Sequence, residues 1–169
     1  MDSYPLDNLD LRLLTVMQES PRAGELELSR LVSVARATVH ARLRRMQEAG
    51  VIVGYGPDLD LAAAGYSVAA FVTLEIAQGA LDEITGDLQR IVGVLEAYVT
   101  TGAGDVLCRV AARSHHDLQA TLLSLSRCSS VVRSTSVVVL SEIVRRRTLP
   151  LLASGVTEGS GRAPAYRDD

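Results

Sequence analysis

The chain has 169 residues and a formal net charge of −3, and all 17 of its lysine-plus-arginine residues are arginines. This length accommodates one ordinary domain or two small ones, and the sequence contains neither a long apolar run nor a signal-peptide pattern. We therefore expect a soluble, cytoplasmic protein with no membrane contact.

The first fifty residues carry three helical patterns. Asp7 is a suitable N-cap for the first helix, which a stop at Pro21 terminates. A second helix is predicted over residues 25–32, and only residues 33–35 separate it from a third over residues 36–49. Two helices joined by so short a turn are typical of a helix-turn-helix, whose last helix enters the major groove of DNA.

The third helix is basic on the side that faces away from its apolar stripe. Val39, Leu43 and Met46 recur at helical spacing and form that stripe. The other side chains are small or cationic, so alanines can approach thymine methyl groups while arginines reach guanine edges or phosphates. The candidate DNA-binding residues are Arg36, Ala37, Thr38, His40, Ala41, Arg42, Arg44 and Arg45. A solvated surface helix carries similar charges, so this helix alone leaves both interpretations open.

The second half of the chain alternates between strand and helix patterns. Gly50 is expected to end the third helix as a C′ glycine, and Val51–Val53 then begin an extended segment. Apolar residues spaced by two predict strands, and apolar residues at helical spacing predict helices near Leu81–Ile91 and Leu118–Leu125. The predicted strands cover residues 68–76, 94–101, 106–112 and 131–144. The order βαββαβ predicts a ferredoxin-like sandwich.

These patterns predict an α+β protein with a helix-turn-helix (winged-helix-like) domain, a strand linker and a ferredoxin-like βαββαβ domain. The predicted boundaries are residues 1–52 for the DNA-binding domain, 53–66 for the linker, 67–148 for the ferredoxin-like domain, and 149–169 for a disordered tail.

Cysteine and histidine give little indication of a chemical site. Cys108 and Cys128 are widely spaced in apolar patterns, which favours buried thiols over a disulfide or a metal site. His115 and His116 precede a predicted helix, where a solvated helix start is the simpler interpretation. We therefore predict no catalytic residues, no metal site and no cofactor.

Several motifs, in the same order, resemble the Lrp/AsnC (leucine-responsive, or feast/famine) family of transcriptional regulators. They are LDNLDLRLL at Leu6–Leu14, LELSRLV at Leu26–Val32, RLRRMQEAGVIVGY at Arg42–Tyr55 and VTTGAGDVLCRV at Val99–Val110. The resemblance spans roughly residues 6–150. It implies a regulator that binds double-stranded DNA and responds to a small amino acid.

The resemblance also implies an effector site. In this family, the turn between the second and third strands helps form an amino-acid site at a subunit junction, where an acidic residue can pair with the ligand's α-ammonium. The candidate effector-binding residues are Thr100, Thr101, Gly102, Asp105, Ser134 and Ser136. From the local sequence alone, the same glycines would be interpreted as an ordinary hairpin turn.

The sequence departs from the family pattern in two turns. Ser33, Val34 and Ala35 replace the usual Gly-Leu-Ser before the recognition helix, which leaves Ser33 as a candidate cap. Ala103 and Gly104 are small where the family often has a bulky residue, and this would either enlarge the effector pocket or loosen the loop.

The sheet is expected to be apolar on both faces. Phe71 on the first strand and Val137–Leu140 on the last add apolar groups to the face that two helices cannot cover. A second copy of the chain would cover that face, so we expect a homodimer. The resemblance implies further assembly, commonly to octamers.

Two other functions remain open at this stage. Certain haem-pathway decarboxylases, which act on tetrapyrroles, resemble the same two-domain architecture, although histidine is scarce here. A chromosome-architecture protein with little sequence preference would differ from a regulator in its small ratio of specific to non-specific DNA affinity.

Overall fold

The computed structural model describes residues 4–156 and divides into two compact units. The helical unit contains residues 4–57 and 144–156, and the sheet unit contains residues 58–143. Over the described residues, no helix is both long enough and apolar enough to cross a bilayer.

The helical unit has the three helices that the sequence predicts, and a fourth near the end of the chain. They are α1 (Asn8–Glu19), α2 (Glu25–Leu31), α3 (Arg36–Glu48) and, after the sheet unit, α6 (Leu149–Ser154). The fully buried side chains of Leu13, Val32, Val39 and Met46 lie at the centre of its core, so α1, α2 and α3 share one small interior.

Asp7 is the N-cap of α1, as predicted. Its carboxylate accepts hydrogen bonds from the backbone N–H groups of Leu9 and Asp10, both at 2.9 Å. The Asp10 carboxylate in turn accepts from the Asp7 N–H at 3.2 Å, which completes a capping box. The first turn of α1 is therefore fixed by two acidic side chains.

The turn before α3 differs from the prediction that Ser33 caps the helix. Ser33 has a left-handed backbone with φ of 55°, and α3 begins after Ala35, which provides no side-chain cap. A left-handed residue reverses the chain within this three-residue turn, where the Val34 N–H donates to the Ser29 carbonyl at 3.0 Å. Ser33 therefore forms the chain reversal and is too early in the chain to cap α3.

Gly50 ends α3 as predicted, with φ of 71°. The N–H groups of Val51 and Gly50 donate to the carbonyls of Met46 and Gln47, the two bonds of a Schellman motif. Val51 and Ile52 then pack against the helical core rather than extending as a strand.

The predicted strand linker contains no strand, and all of residues 53–66 are described. Val53 is 93% exposed, and residues 61–65 form a turn that the Asp60 side chain caps through the Ala63 N–H at 3.0 Å. A strand needs a neighbouring strand for its backbone hydrogen bonds, and residues 4–156 supply none here.

The sheet unit confirms the ferredoxin-like prediction. Its elements are β1 (Val68–Ile76), α4 (Leu81–Arg90), β2 (Val94–Val99), β3 (Val106–Ala112), α5 (His115–Ser126) and β4 (Val131–Val138). The four strands are antiparallel in the order β2-β3-β1-β4. Ala70, Val72 and Leu74 of β1 are fully buried against Ile84 of α4 and Leu125 of α5, so the core lies between the sheet and its two helices.

Two strands are shorter than predicted. β4 ends at Val138 because its pairing with β1 stops soon afterwards, at the bond from the Val139 N–H to the Ala69 carbonyl. β2 ends at Val99, whose partner Val106 begins β3 after a tight turn. After β4 the apolar residues continue through Val139 and Leu140, but the hydrogen-bonded ladder does not.

The end of the helical unit corrects the predicted disordered tail. Residues 149–154 form α6, with Pro150 in its first turn, and α6 packs against α1. Leu149 and Leu152 are half-buried at helical spacing, which provides the apolar contact that a short helix needs. Residues 157–169 of the predicted tail lie outside the described residues.

Candidate DNA-binding and effector sites

The exposed side of α3 carries most of the predicted DNA-binding residues. Ala37, His40, Ala41 and Arg44 are exposed along this side, opposite the buried Val39, Leu43 and Met46. Arg36 and Arg45 are exposed on its two flanks, and Thr38 is half-buried. The small alanines leave space between cations, which suits close approach to a groove.

Glu25, the first residue of α2, holds two of these side chains. Its carboxylate lies 2.8 Å from His40 Nδ1 and 3.5 Å from Arg36 Nε. The hydrogen bond with His40 and the interaction with Arg36 hold the pKa of Glu25 below its ordinary value. Arg36 and His40 are thereby oriented from α2, although both side chains remain more than 60% exposed.

Two further cations of α3 are held less tightly. Arg44 pairs with Glu48 one turn later at 2.7 Å, with both side chains exposed. The Arg45 guanidinium lies 5.5 Å from the centre of the Tyr4 ring, a cation–π contact that leaves it in solvent. Exposed pairs of this kind contribute little to stability, so both arginines remain accessible to a phosphate.

Arg42, also predicted to contact DNA, lies apart from this exposed side and is engaged by α1. Its guanidinium forms ion pairs with Asp7 and, at 3.2 Å, with Asp10, and the side chain is only 23% exposed. Burial opposes ionisation of Asp7, but the N–H of Asp10, the Arg42 guanidinium and the N–H of Leu9 hold its pKa below the ordinary value. Arg42 connects α3 to the capping box of α1 and has a structural role.

Sequence reasoning missed Asp10 as the partner of Arg42. Asp10 is fully buried and also accepts a hydrogen bond from the Tyr4 hydroxyl at 3.2 Å. The signal that could have revealed it is the spacing of Asp7 and Asp10, which matches an N-cap and N3 pair. A carboxylate turned into a helical core requires a cation, and Arg42 lies on the flank of α3's buried stripe.

The predicted effector turn is closely tied to the end of β1. The Asp105 N–H donates to the Leu74 carbonyl at 2.8 Å, and the Asp105 carboxylate accepts from the Ile76 N–H at 2.8 Å. Within the turn, Thr100 donates its N–H to the Asp105 carbonyl and its hydroxyl to the Gly104 carbonyl, at 2.9 and 2.8 Å. Asp105 therefore fixes the turn while its side chain remains exposed.

Gly104 packs against β1, and the strand leaves no room there for a side chain. A Cβ at this position would come within 2.3 Å of Thr73 Cγ2 and 3.1 Å of the Leu74 carbonyl oxygen. The expectation that small residues here enlarge a pocket or loosen the loop is wrong for Gly104, which is buried in contact with the strand.

Asp105 lines a cleft of about 290 Å³ at one end of the sheet. The other walls are Val99, Leu81 and the segment Ile76–Gly79 that links β1 to α4. A second cleft of about 300 Å³, between α4 and β2, shares Leu81 and Val99 with it. A carboxylate beside mainly apolar walls suits a ligand with an ammonium group and an apolar side chain.

The other predicted effector residues fall into two groups. Thr100 supports the turn, and Thr101 and Gly102 are exposed at its tip. Ser134 and Ser136 lie on β4, on the opposite side of β1 from the turn, and neither lines the cleft. The Ser134 hydroxyl lies 3.3 Å from that of Ser126 in α5. A single chain therefore does not bring these two serines together with Asp105.

The cysteines are both free thiols, with Cys108 in the core of the sheet unit and Cys128 half-buried. Burial raises the pKa of Cys108 to about 11, which keeps its thiol protonated. In residues 4–156, no group of three or more histidine, cysteine or acidic side chains is arranged to hold a metal ion.

Two protein-family models match the chain. Residues 6–53 match a winged helix-turn-helix DNA-binding domain, and residues 69–149 match the Lrp/AsnC ligand-binding domain. Regulatory protein AsnC from Escherichia coli K12 is 30% identical over 88% of this chain and 99% of its own length.

Solved structures agree with these matches. The structure of E. coli AsnC, 28% identical to this chain, aligns with a TM-score of 0.81 and covers 87% of this chain and 100% of AsnC. A transcriptional regulator from Neisseria meningitidis, solved as a complex with L-methionine, is 26% identical and aligns with a TM-score of 0.79 over 87% of this chain and 97% of its own.

Proposed function

Because the chain belongs to the Lrp/AsnC family of transcriptional regulators, we propose that the exposed side of α3 reads DNA while the cleft beside Asp105 binds a free amino acid. The helix-turn-helix and its basic helix carry the first assignment. The position of the Asp105 carboxylate in a mainly apolar cleft carries the second.

The DNA contacts divide into two kinds. Ala37, His40 and Ala41 lie on the exposed side of α3, where a helix in the major groove meets base edges, so they are proposed to influence sequence preference. Arg44 and Arg45 are exposed and held only by weak surface contacts, so they are proposed to bind phosphates. Arg36 is oriented by Glu25 and can act in either way.

The cleft favours an amino acid whose side chain is uncharged and apolar. Asp105 can pair with the α-ammonium group, and Ile76, Leu81 and Val99 can contact an aliphatic or thioether side chain. Among the described residues no arginine lines the cleft, so the ligand's carboxylate is proposed to bind backbone N–H groups at the turn tip, Thr101–Ala103. The methionine complex of the Neisseria regulator is consistent with a ligand of this class.

The open face of the sheet supports a homodimer. Phe71, Val137 and Tyr98 are 43%, 63% and 55% exposed on the face that α4 and α5 do not cover. Ion pairs at its borders, Glu75 with Arg133 and Glu96 with Arg109, leave this apolar centre uncovered within one chain. We propose that a second copy covers it, and that higher assemblies such as octamers are built from this dimer.

The proposed mechanism is linkage and involves no catalytic step. An amino acid that binds one assembly or conformation better than another shifts the population toward it and thereby changes DNA affinity. Couplings of about 1–3 kcal/mol are typical and would be enough to switch occupancy of a promoter.

A thermal-shift screen against the twenty amino acids tests the effector assignment. A ligand at a hundred-fold excess over its Kd stabilises the folded protein by about 2.7 kcal/mol, so binding is readily detected. We expect one or a few apolar amino acids to raise the Tm of the wild-type protein, and Asp105→Asn to abolish that rise.

Asn is the appropriate substitution because its side-chain oxygen can still accept the Ile76 N–H bond while the negative charge is lost. A ligand that stabilises the wild type and Asp105→Asn equally would exclude Asp105 as the ammonium partner. Failure of all twenty amino acids to bind would reject the effector assignment and leave the DNA-binding assignment standing.

A further inference from the structure

The net charge of −3 is distributed unequally between the two units, one of which is basic and the other acidic. Among the described residues, the helical unit has ten arginines against six acidic residues, whereas the sheet unit has five arginines against ten. Three of the ten arginines are consecutive, Arg145–Arg147, and come from the far end of the chain. Without them the helical unit has seven arginines against six acidic residues and is close to neutral.

Several cations of the helix-turn-helix have a nearby partner, although the pairs of Arg36 and Arg44 are exposed and weak. Arg42 forms ion pairs with Asp7 and Asp10, Arg44 pairs with Glu48, and Arg36 pairs with Glu25. Arg12 donates to the Val32 carbonyl at 3.0 Å and so links α1 to the end of α2. Most of the positive charge on these helices is therefore matched by nearby carboxylates or used in packing.

Two members of the arginine run, Arg146 and Arg147, differ from these side chains. Arg145, Arg146 and Arg147 are exposed, and no carboxylate of the described chain forms an ion pair with Arg146 or Arg147. The run immediately precedes α6, whose half-buried Leu149 and Leu152 accompany its packing against α1. The three arginines are thereby tethered to the helical unit although they lie about a hundred residues after α3 in the sequence.

We propose that Arg145–Arg147 are a second DNA-contacting element, which binds backbone phosphates of the duplex that α3 reads. Guanidinium groups match phosphate oxygens in a bidentate geometry and remain charged at every relevant pH. Consecutive exposed arginines carry no base-reading geometry, so they add affinity for any duplex without sequence preference. This inference rests on the DNA-binding function of the helical unit and extends it beyond the helix-turn-helix.

Counterion release provides the test, because each neutralised phosphate contributes about 0.9 to the slope of log K against log salt. We would measure binding of wild type and of the triple variant R145Q/R146Q/R147Q to a random-sequence duplex and to a site selected with the wild-type protein. The triple variant is expected to have a slope smaller by about 2 to 3 per bound chain. Both duplexes should lose affinity by the same factor, so the specificity ratio is unchanged.

A matched pair of single variants controls for net charge. Arg147→Gln should reduce the slope by about 0.9, whereas Arg127→Gln, at the exposed end of α5 in the sheet unit, should leave it unchanged. The mass of the assembly would be measured for every variant by analytical ultracentrifugation.

An unchanged slope in the triple variant would overturn the proposal, and so would a loss of affinity that occurs only together with a smaller assembly. Selective loss of binding to the selected site would also overturn it, since it would show base reading. Each of these results leaves wild-type DNA binding intact, so they are distinct from failure of the helix-turn-helix assignment, in which wild type itself binds no duplex.

Discussion

Arg42 and Arg44 lie two residues apart on one helix and have different roles. Arg42 points into the network of Asp7 and Asp10, where the carboxylates would be left buried without a cation if it were removed. Arg44 points to solvent and pairs with an exposed glutamate. The two residues are of the same type, and only their position relative to the buried stripe separates the structural arginine from the one proposed to contact DNA.

Matched substitutions distinguish these roles. Arg42→Met is expected to lower the free energy of unfolding of the helical unit by about 3 kcal/mol, because the carboxylates of Asp7 and Asp10 would lose their neutralising cation. Arg44→Met should leave the Tm nearly unchanged and weaken binding to every duplex, with a smaller salt dependence. Calorimetry and DNA titration of both variants check this, and equal loss of stability in the two would contradict the assignment.

At the scale of elements, regular periodicity predicted the positions of five helices and four strands because buried stripes set them directly. The sequence could not indicate where hydrogen-bonded ladders stop, which shortened β2 and β4. Nor could it show that Leu149 and Leu152 find a surface on α1, since that contact joins the two ends of the chain. Ser134 and Ser136 were carried over from the family pattern, and pairing across β1 separates them from Asp105.

The left-handed backbone of Ser33, in the turn between α2 and α3, destabilises the folded protein, and a substitution can relieve this strain. Ser33 adopts a left-handed conformation that disfavours a residue with a Cβ by about 1–2 kcal/mol. Ser33→Gly is therefore expected to stabilise the helical unit by about 1 kcal/mol, after allowance for glycine's greater freedom when unfolded. Ser33→Ala retains the Cβ and serves as the control. Chemical denaturation compares the variants, and a Ser33→Gly protein less stable than Ser33→Ala would refute the strain argument.

At the scale of the whole molecule, the open face of the sheet is the surface that we propose for assembly. Val137→Asp places a charge on this face, opposite Phe71 of the neighbouring strand, and is expected to reduce the dimer or larger assembly to monomers. Val92→Asp makes the same chemical change at a residue that is 94% exposed in the loop after α4, and it should leave the mass unchanged. Light scattering after gel filtration measures both, and an assembled Val137→Asp protein would show that another surface joins the subunits.

Regulation requires that the two units communicate through that assembly. The chain separates a basic helical unit from an acidic sheet unit, so DNA and effector bind to different parts of one polypeptide. Linkage then demands reciprocity: an amino acid that changes DNA affinity must itself bind more tightly or more weakly in the presence of DNA, by the same factor.

The most direct test of this account is the DNA affinity of wild type and Asp105→Asn, measured at fixed salt with and without a stabilising amino acid. We expect the ligand to change the wild-type Kd for a selected site by about 5- to 150-fold. The Asp105→Asn protein should bind DNA with the wild-type Kd but show no response to the ligand. A wild-type Kd that the bound amino acid does not change, or an equal response in Asp105→Asn, would contradict the account.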